Sequence, residues 1–418
     1  MAGSLSLLLD ALRSRRTLSV AVLSFASGLP LGLVWYAIPD WMRDIGVDIR
    51  IVGLLTVAQA PWSFKVLWSP LMDRYVPPFW GRRRGWMAVT QIALAALVLS
   101  LAGVGERPET IWVVGALAFA IAIASASQDI AIDAYAVEVL HTEEQGAAVG
   151  ARLAFYRAGM LVSGGVAITL AARIGWPAVN ALLAVVFLLL LVLTWRSPEP
   201  DEQPAPPATL RDAVWLPFVG MFRRHRALEI MAFVVLYKLG DQLTQSLTRP
   251  FLIDMGYDAV SRGVALATLS LVLTILGTFM GGLVTTVAGL GRALWIFGVL
   301  QIFSNAGYFL IATLDRPNVA AMYGATGFEL FTAGLGMGAF GVLLLRLTEK
   351  RFSATQYALF SSLMALPRVV AGPITGFTVN AIGWPAFFLV TMVIGIPGLL
   401  MLARFVPVGV REPNLDAA

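Results

Sequence analysis

Stretches of about 20 apolar residues, broken by short polar segments, recur from one end of the chain to the other. They predict helical spans at roughly 17–38, 50–72, 85–103, 111–138, 149–171 and 177–195, then 228–250, 260–287, 293–313, 319–345, 355–378 and 384–406. The expected fold class is therefore an all-α integral membrane protein of about 12 transmembrane helices. The first span follows Arg13, Arg15 and Arg16 in the order of a signal peptide. Its length is enough to cross a bilayer and further spans follow at once, so it reads as an uncleaved helix. The longest break, "RSPEPDEQPAPPATLRDAVWLPFVGMFRRHR", is rich in Pro and charge and reads as a linker. It divides the chain into a six-helix bundle at 1–196, a linker at 197–227 and a second six-helix bundle at 228–418.

The halves echo each other. "IGWPA" occurs at Ile174–Ala178 and at Ile382–Ala386, each time just before the last span of its half. Upstream, Gln145 and Arg157 are spaced like Gln356 and Arg368. Repeated halves of parallel topology are the architecture of major facilitator transporters, whose site lies near the membrane midplane between them.

Composition supports lipid as the solvent. The chain is 58% hydrophobic and only 13% charged, about half the charged share of soluble domains. There are no cysteines, which excludes disulfides, thiol catalysis and Cys-based zinc sites. The net charge of +5 does not imply nucleic-acid binding, because the basic residues sit mostly in loops between spans. Arg13, Arg15, Arg16, the triple Arg82–Arg84, Arg223, Arg224 and Arg226 all fall on one side, which places both termini in the cytoplasm. No Walker loop, metal-ligand spacing or nucleophile–base pair is visible, so neither ATP, a cofactor, a metal nor enzymatic chemistry is expected. The glycines of "GLGMGAF" (Gly334–Phe340) fit close helix packing better than a nucleotide fingerprint.

Polar residues inside the spans carry the candidate chemistry. "SASQDIAIDAYAVEV" (Ser125–Val139) puts Asp129 and Asp133 four apart, on one helical face, with Gln128 beside them. One acid at a helix centre costs roughly 2.5–3.5 kcal/mol on insertion scales, so this face must line a watery cavity or meet cations. Structural ion pairing and proton transfer are both open to these acids. Lys65, Arg157 and Arg368 are candidate cations. In "LYKLGDQLTQSLTRP", Lys238, Asp241, Gln242 and Gln245 form one polar stripe, either self-neutralised or suited to a polar solute. Glu329 is a lone acid in the tenth span, and Asn305 reads as interhelical glue. Between spans two and three, Asp73, Arg74, Gly81, Arg82, Arg83 and Arg84 can lock the cytoplasmic ends of adjacent helices, or anchor them to anionic lipid.

"FASGLPLGL", "FKVLWSPLMDRYVPPFWGRRRGW", "SASQDIAIDAY", "YRAGMLVSGG", "LYKLGDQ", "SNAGY", "FSATQYAL" and "IGWPAFF" run in order along nearly the whole chain. Together they resemble the AmpG family of the major facilitator superfamily. The resemblance implies a permease of the bacterial inner membrane. It would import muropeptides, N-acetylglucosamine linked to anhydro-N-acetylmuramic acid with attached peptides, using the proton motive force. By that resemblance Gly28, Gln128, Asp129, Asp133, Arg157, Lys238 and Asp241 fall in the family's motifs. With the polar stripe and the candidate cations added, the residues expected at the substrate are Gly28, Gln128, Asp129, Arg157, Lys238, Gln242, Gln245 and Arg368, and the mid-span acids Asp129, Asp133, Asp241 and Glu329 are expected to include the proton carrier. The expected partners are that small-molecule substrate, protons and the lipid bilayer, around a monomer. A permease for siderophores or other amphiphiles, or a sensor that binds a solute without moving it, are the alternatives.

Overall fold

The computed structural model describes residues 10–105, 107–202, 204–223 and 226–413. Arg224, of the basic flank, lies outside them. The first half contains α1 (Arg15–Asp44), α2 (49–74), α3 (Arg82–Ala102), α4 (Ile111–Val139), α5 (Gln145–Ile174) and α6 (Trp176–Arg196). A linker helix, α7 (Leu210–Arg223), follows. The second half contains α8 (Ala227–Asp254), α9 (Ala259–Ala288), α10 (Leu290–Ala312), α11 (Val319–Leu347), α12 (353–382) and α13 (384–405). Among the described residues nine helices are long and apolar enough to cross a membrane; the broken α2, the charge-bearing α8 and α12 complete twelve spans.

Two spans depart from uniform helices. The segment 49–74, expected as one helix, is broken by 3-10 turns at Leu55–Gln59 and Lys65–Leu67. Pro61 and Pro70 each remove a backbone donor there, which interrupts the α-helical ladder. Conversely α12 and α13 run on with Gly383 as the only non-helical residue between them. Gly383 (φ 75°) and Gly175 (φ 79°) are the glycines of the two "IGWPA" words, and at Gly175 the following Pro sits in the first turn of α6. The repeated word is thus a turn: only glycine takes that backbone readily, and Pro is pre-set for a first helical turn.

Small residues set the helix crossings. A Cβ on Gly28 would strike the Tyr156 carbonyl oxygen, and one on Gly159 would strike that of Phe25, so α1 and α5 touch backbone to backbone. Gly334 and Gly338 of "GLGMGAF" pack equally closely on α9, as expected of packing glycines.

The apolar cores show where the halves join. One contains only residues of the first half, from Ala26 to Leu190, and another only residues of the second, including Phe251, Tyr308 and Phe388. The third is shared: Met72, Met87 and Val137 pack in one cluster with Phe340, Leu343 and Phe360. This joint core lies at the end of the bundle that carries Asp73 and Arg82–Arg84, called the arginine end below.

Candidate functional site

Asp129 and Asp133 project from one face of α4 into a cavity of about 260 Å³ lined by both halves. The 3-10 turn of α2 brings in Lys65, whose Nζ lies 3.1 Å from Asp133 Oδ2. Arg152 of α5 pairs with Asp133 Oδ1. Tyr156, one turn further along α5, and Tyr357 and Ser361 of α12 complete the polar wall. Val149, Leu153, Met337, Leu344 and Met364 supply an apolar one.

The two acids have different surroundings. Asp133 holds two cations, whereas Asp129 Oδ1 is buried without a hydrogen-bond partner. With both acids ionised, Lys65 and Arg152 balance them; protonation of Asp129 leaves one positive charge over. Loss of solvent strengthens that imbalance, because Coulomb interactions grow as the local dielectric falls.

The polar stripe of α8 goes elsewhere. Lys238 Nζ is buried and donates to Asp241 Oδ2 (3.2 Å), Gln301 Oε1 (2.9 Å) and the Ala333 carbonyl (3.4 Å). Gly336 leaves room for this contact, since a Cβ there would meet Gln301 and the Lys238 ammonium. Asp241, Gln301 and Asn305 border a cleft of about 10 Å³ inside the second half, at the size of a single water. Gln245 donates to Glu329 Oε1 at 2.9 Å, and Gln242 is half-buried. Self-neutralisation of Lys238 by Asp241 is therefore the arrangement adopted.

Other predicted residues also lie apart from the cavity wall. Gly28 is at the α1–α5 crossing. Gln128 is fully buried, with neither amide atom bonded. Arg157 is half-buried and forms no ion pair among the described residues. Arg368 lies on α12, but its side chain is outside the described residues. Arg152, Tyr156, Tyr357 and Ser361 were not anticipated. The i, i+4 spacing of Arg152 and Tyr156 on an otherwise apolar face was the signal for the first two.

At the arginine end, hydrogen bonds and ion pairs join the two halves. Arg83 is buried; its Nη2 donates to Asp73 Oδ1 (2.6 Å) and to Ser353 Oγ (2.6 Å), and its Nε to Glu138 Oε1 (2.7 Å). Asp73 also accepts from the backbone N–H groups of Ala354 (3.3 Å) and Thr355 (2.8 Å) in the first turn of α12. Arg82 donates to Glu138 (2.9 Å) and to the Lys350 and Arg351 carbonyls. Arg84 instead grips the linker through the Ser197 carbonyl (2.9 Å) and Glu199. Arg74 stacks over Tyr75, and Gly81 supplies the positive-φ residue (73°) that starts α3. The bonds of this cluster thus reach beyond adjacent helices to the second half.

Twelve spans around a polar cavity, with one end closed by cross-half bonds, define a polytopic membrane transporter. The family model described as Major Facilitator Superfamily matches residues 20–371. The chain is similar to the human organic anion transporter MFSD10 (TETRAN), with TM-score 0.67, 14% identity, and 93% of this chain and 99% of that one covered; at that identity the likeness concerns fold. It is 43% identical over 389 residues to the anhydromuropeptide permease of Escherichia coli (strain K12), covering 93% of this chain and 79% of the relative. It is also 29% identical over 398 residues to the putative transporter AmpG 4 of Rickettsia conorii, covering 93% and 95%. The chain belongs to the AmpG family of the major facilitator superfamily. It is a multi-pass membrane transporter, not an enzyme.

Proposed function

We propose that the protein imports muropeptides across the bacterial inner membrane by alternating access, driven by the proton motive force. Both termini and the arginine end face the cytoplasm, and residues 1–196 and 228–418 rock about the cavity as two bodies joined by the linker at 197–227. The observation that carries this reading is the cavity between the halves, with Lys65 and Arg152 sharing Asp133 while Asp129 Oδ1 is buried without a hydrogen-bond partner. The 43% identity to a permease named for anhydromuropeptides supports the substrate. A substrate carboxylate is attracted when Asp129 is protonated, because two cations then face one anion. The proton and the anion therefore enter together. The joint core and the Asp73–Arg83 lock favour a state closed to the cytoplasm. One proton moving with one carboxylate carries no net charge, so the proton gradient biases the cycle, by about 1.4 kcal/mol per tenfold difference in concentration.

Uptake of labelled anhydromuropeptides into proteoliposomes tests the proposal, run beside a siderophore and with or without an imposed proton gradient. Gradient-dependent entry of the muropeptide alone is expected. Entry of the siderophore alone, or equal uptake without the gradient, overturns the substrate or the coupling respectively.

A further inference from the structure

The linker helix α7 has two faces of different fate. Thr209 begins it, its Oγ1 accepting from the Asp212 N–H at 3.0 Å. Ala213, Pro217 and Met221, four residues apart, are buried against the ends of α2, α8 and α12. Pro217 lies inside the helix on this buried stripe, and its carbonyl accepts from Gln356 Nε2 at 3.4 Å. A second stripe, flanking the first on one side, carries Leu210, Val214, Trp215 and Phe222, all exposed, with Trp215 at 64% and exposed Arg211 among them. Contiguous apolar exposure of this kind on a linker between soluble segments would be an aggregation hazard.

Its position identifies what covers it. The helix lies across the ends of three membrane-spanning segments, beside the last turn of α2. There Leu71 and Tyr75 are exposed too, so the exposed apolar residues of α7 add to those of the membrane-spanning bundle at this end. An amphipathic helix with Trp, Phe and Leu on one side is suited to the boundary between headgroups and acyl chains, where an indole is wetted at one end. We propose that α7 is an interfacial helix, seated in the bilayer surface through Leu210, Val214, Trp215 and Phe222. Through Pro217 and Gln356 that seat is one hydrogen bond from the turn of α12 capped by Asp73.

The chain has no cysteine, so single cysteines can report on this directly. Val214→Cys and Phe222→Cys test the face at two independent positions, and Ala208→Cys, exposed ahead of the helix, is the control. Each full-length variant is labelled with an environment-sensitive fluorophore and reconstituted into phosphatidylcholine–phosphatidylglycerol vesicles. Lipids brominated high on the acyl chain should quench the label at 214 and 222 about twofold, with iodide quenching only at 208. Iodide quenching at 214 and 222 without lipid quenching overturns the proposal. So does shielding from both quenchers that disappears on dilution of the protein in the membrane, which would mean a second copy of the chain covers the face.

Discussion

Asp73, at the end of α2, accepts the backbone N–H of Thr355 at 2.8 Å and its hydroxyl at 2.7 Å. A carboxylate from one half of the molecule thus does for α12 what a local capping residue does for other helices. The positive end of the helix dipole adds to the attraction. Because Arg83 pairs with the other oxygen of the same carboxylate, opening this end must break an ion pair and a cap together.

Asp73→Ala should therefore favour the opened arginine end. Losing a cap acceptor costs about 1 kcal/mol, and the lost charged hydrogen bond to Arg83, which keeps Glu138, about 1.5–3 kcal/mol. With Ser361→Cys in the cavity wall as reporter, alkylation by an impermeant maleimide from the arginine side should accelerate about tenfold or more. Asp73→Asn, which keeps an acceptor oxygen, should fall between. Unchanged alkylation in both would remove the lock from the cycle.

Asp129→Asn and Asp133→Asn should separate. The first removes an acid with an unpartnered oxygen, so thermal stability in detergent should hold while uptake loses its response to a proton gradient. The second takes from Lys65 and Arg152 the carboxylate both pair with, leaving only the more distant Asp129 to balance them, and should cost about 3–5 kcal/mol of stability. If gradient dependence survives in Asp129→Asn, the coupling group lies elsewhere, and Glu329→Gln is the next variant to assay. That change keeps the acceptor for Gln245.

Gly28→Ala should destabilise the fold by about 1–3 kcal/mol through overpacking against the Tyr156 carbonyl, lowering the melting temperature. Gly324→Ala, in α11 with nothing near its Cβ position, is the matched control. It should be neutral or stabilising by about 0.5–1 kcal/mol. Equal effects would mean that Gly28 acts through something other than its approach to α5.

Asp201, in the linker, is held below the ordinary carboxylate range by hydrogen bonds from His141 and Arg16. A depressed acid contributes stability above its unfolded pKa and loses it only as pH falls through its folded one. Its effect is therefore complete at all pH values above roughly 4. Asp201→Asn should leave the shape of the uptake profile between pH 5.5 and 8 unchanged. A displaced profile would give this exposed cluster a part in coupling.

The chain alone determined the spans, the twofold repetition and the family. Lipid offers no hydrogen bonds, so each crossing must be a run of apolar residues long enough to satisfy its own backbone, and that is a local property. "IGWPA" was equally legible because its turn needs Gly and Pro at fixed positions. That two acids lay on one face of α4 followed from helical spacing. Which cations they meet did not, because that depends on how each helix is rotated against its neighbours. Arg152 and Arg157 share a helix and differ by five residues, about 140° of rotation, and only the packing of α5 on α1 turned Arg152 into the cavity. The same holds for α8, whose polar stripe closed on Gln301 of α10, and for Asp73, which caps a helix some 280 residues away.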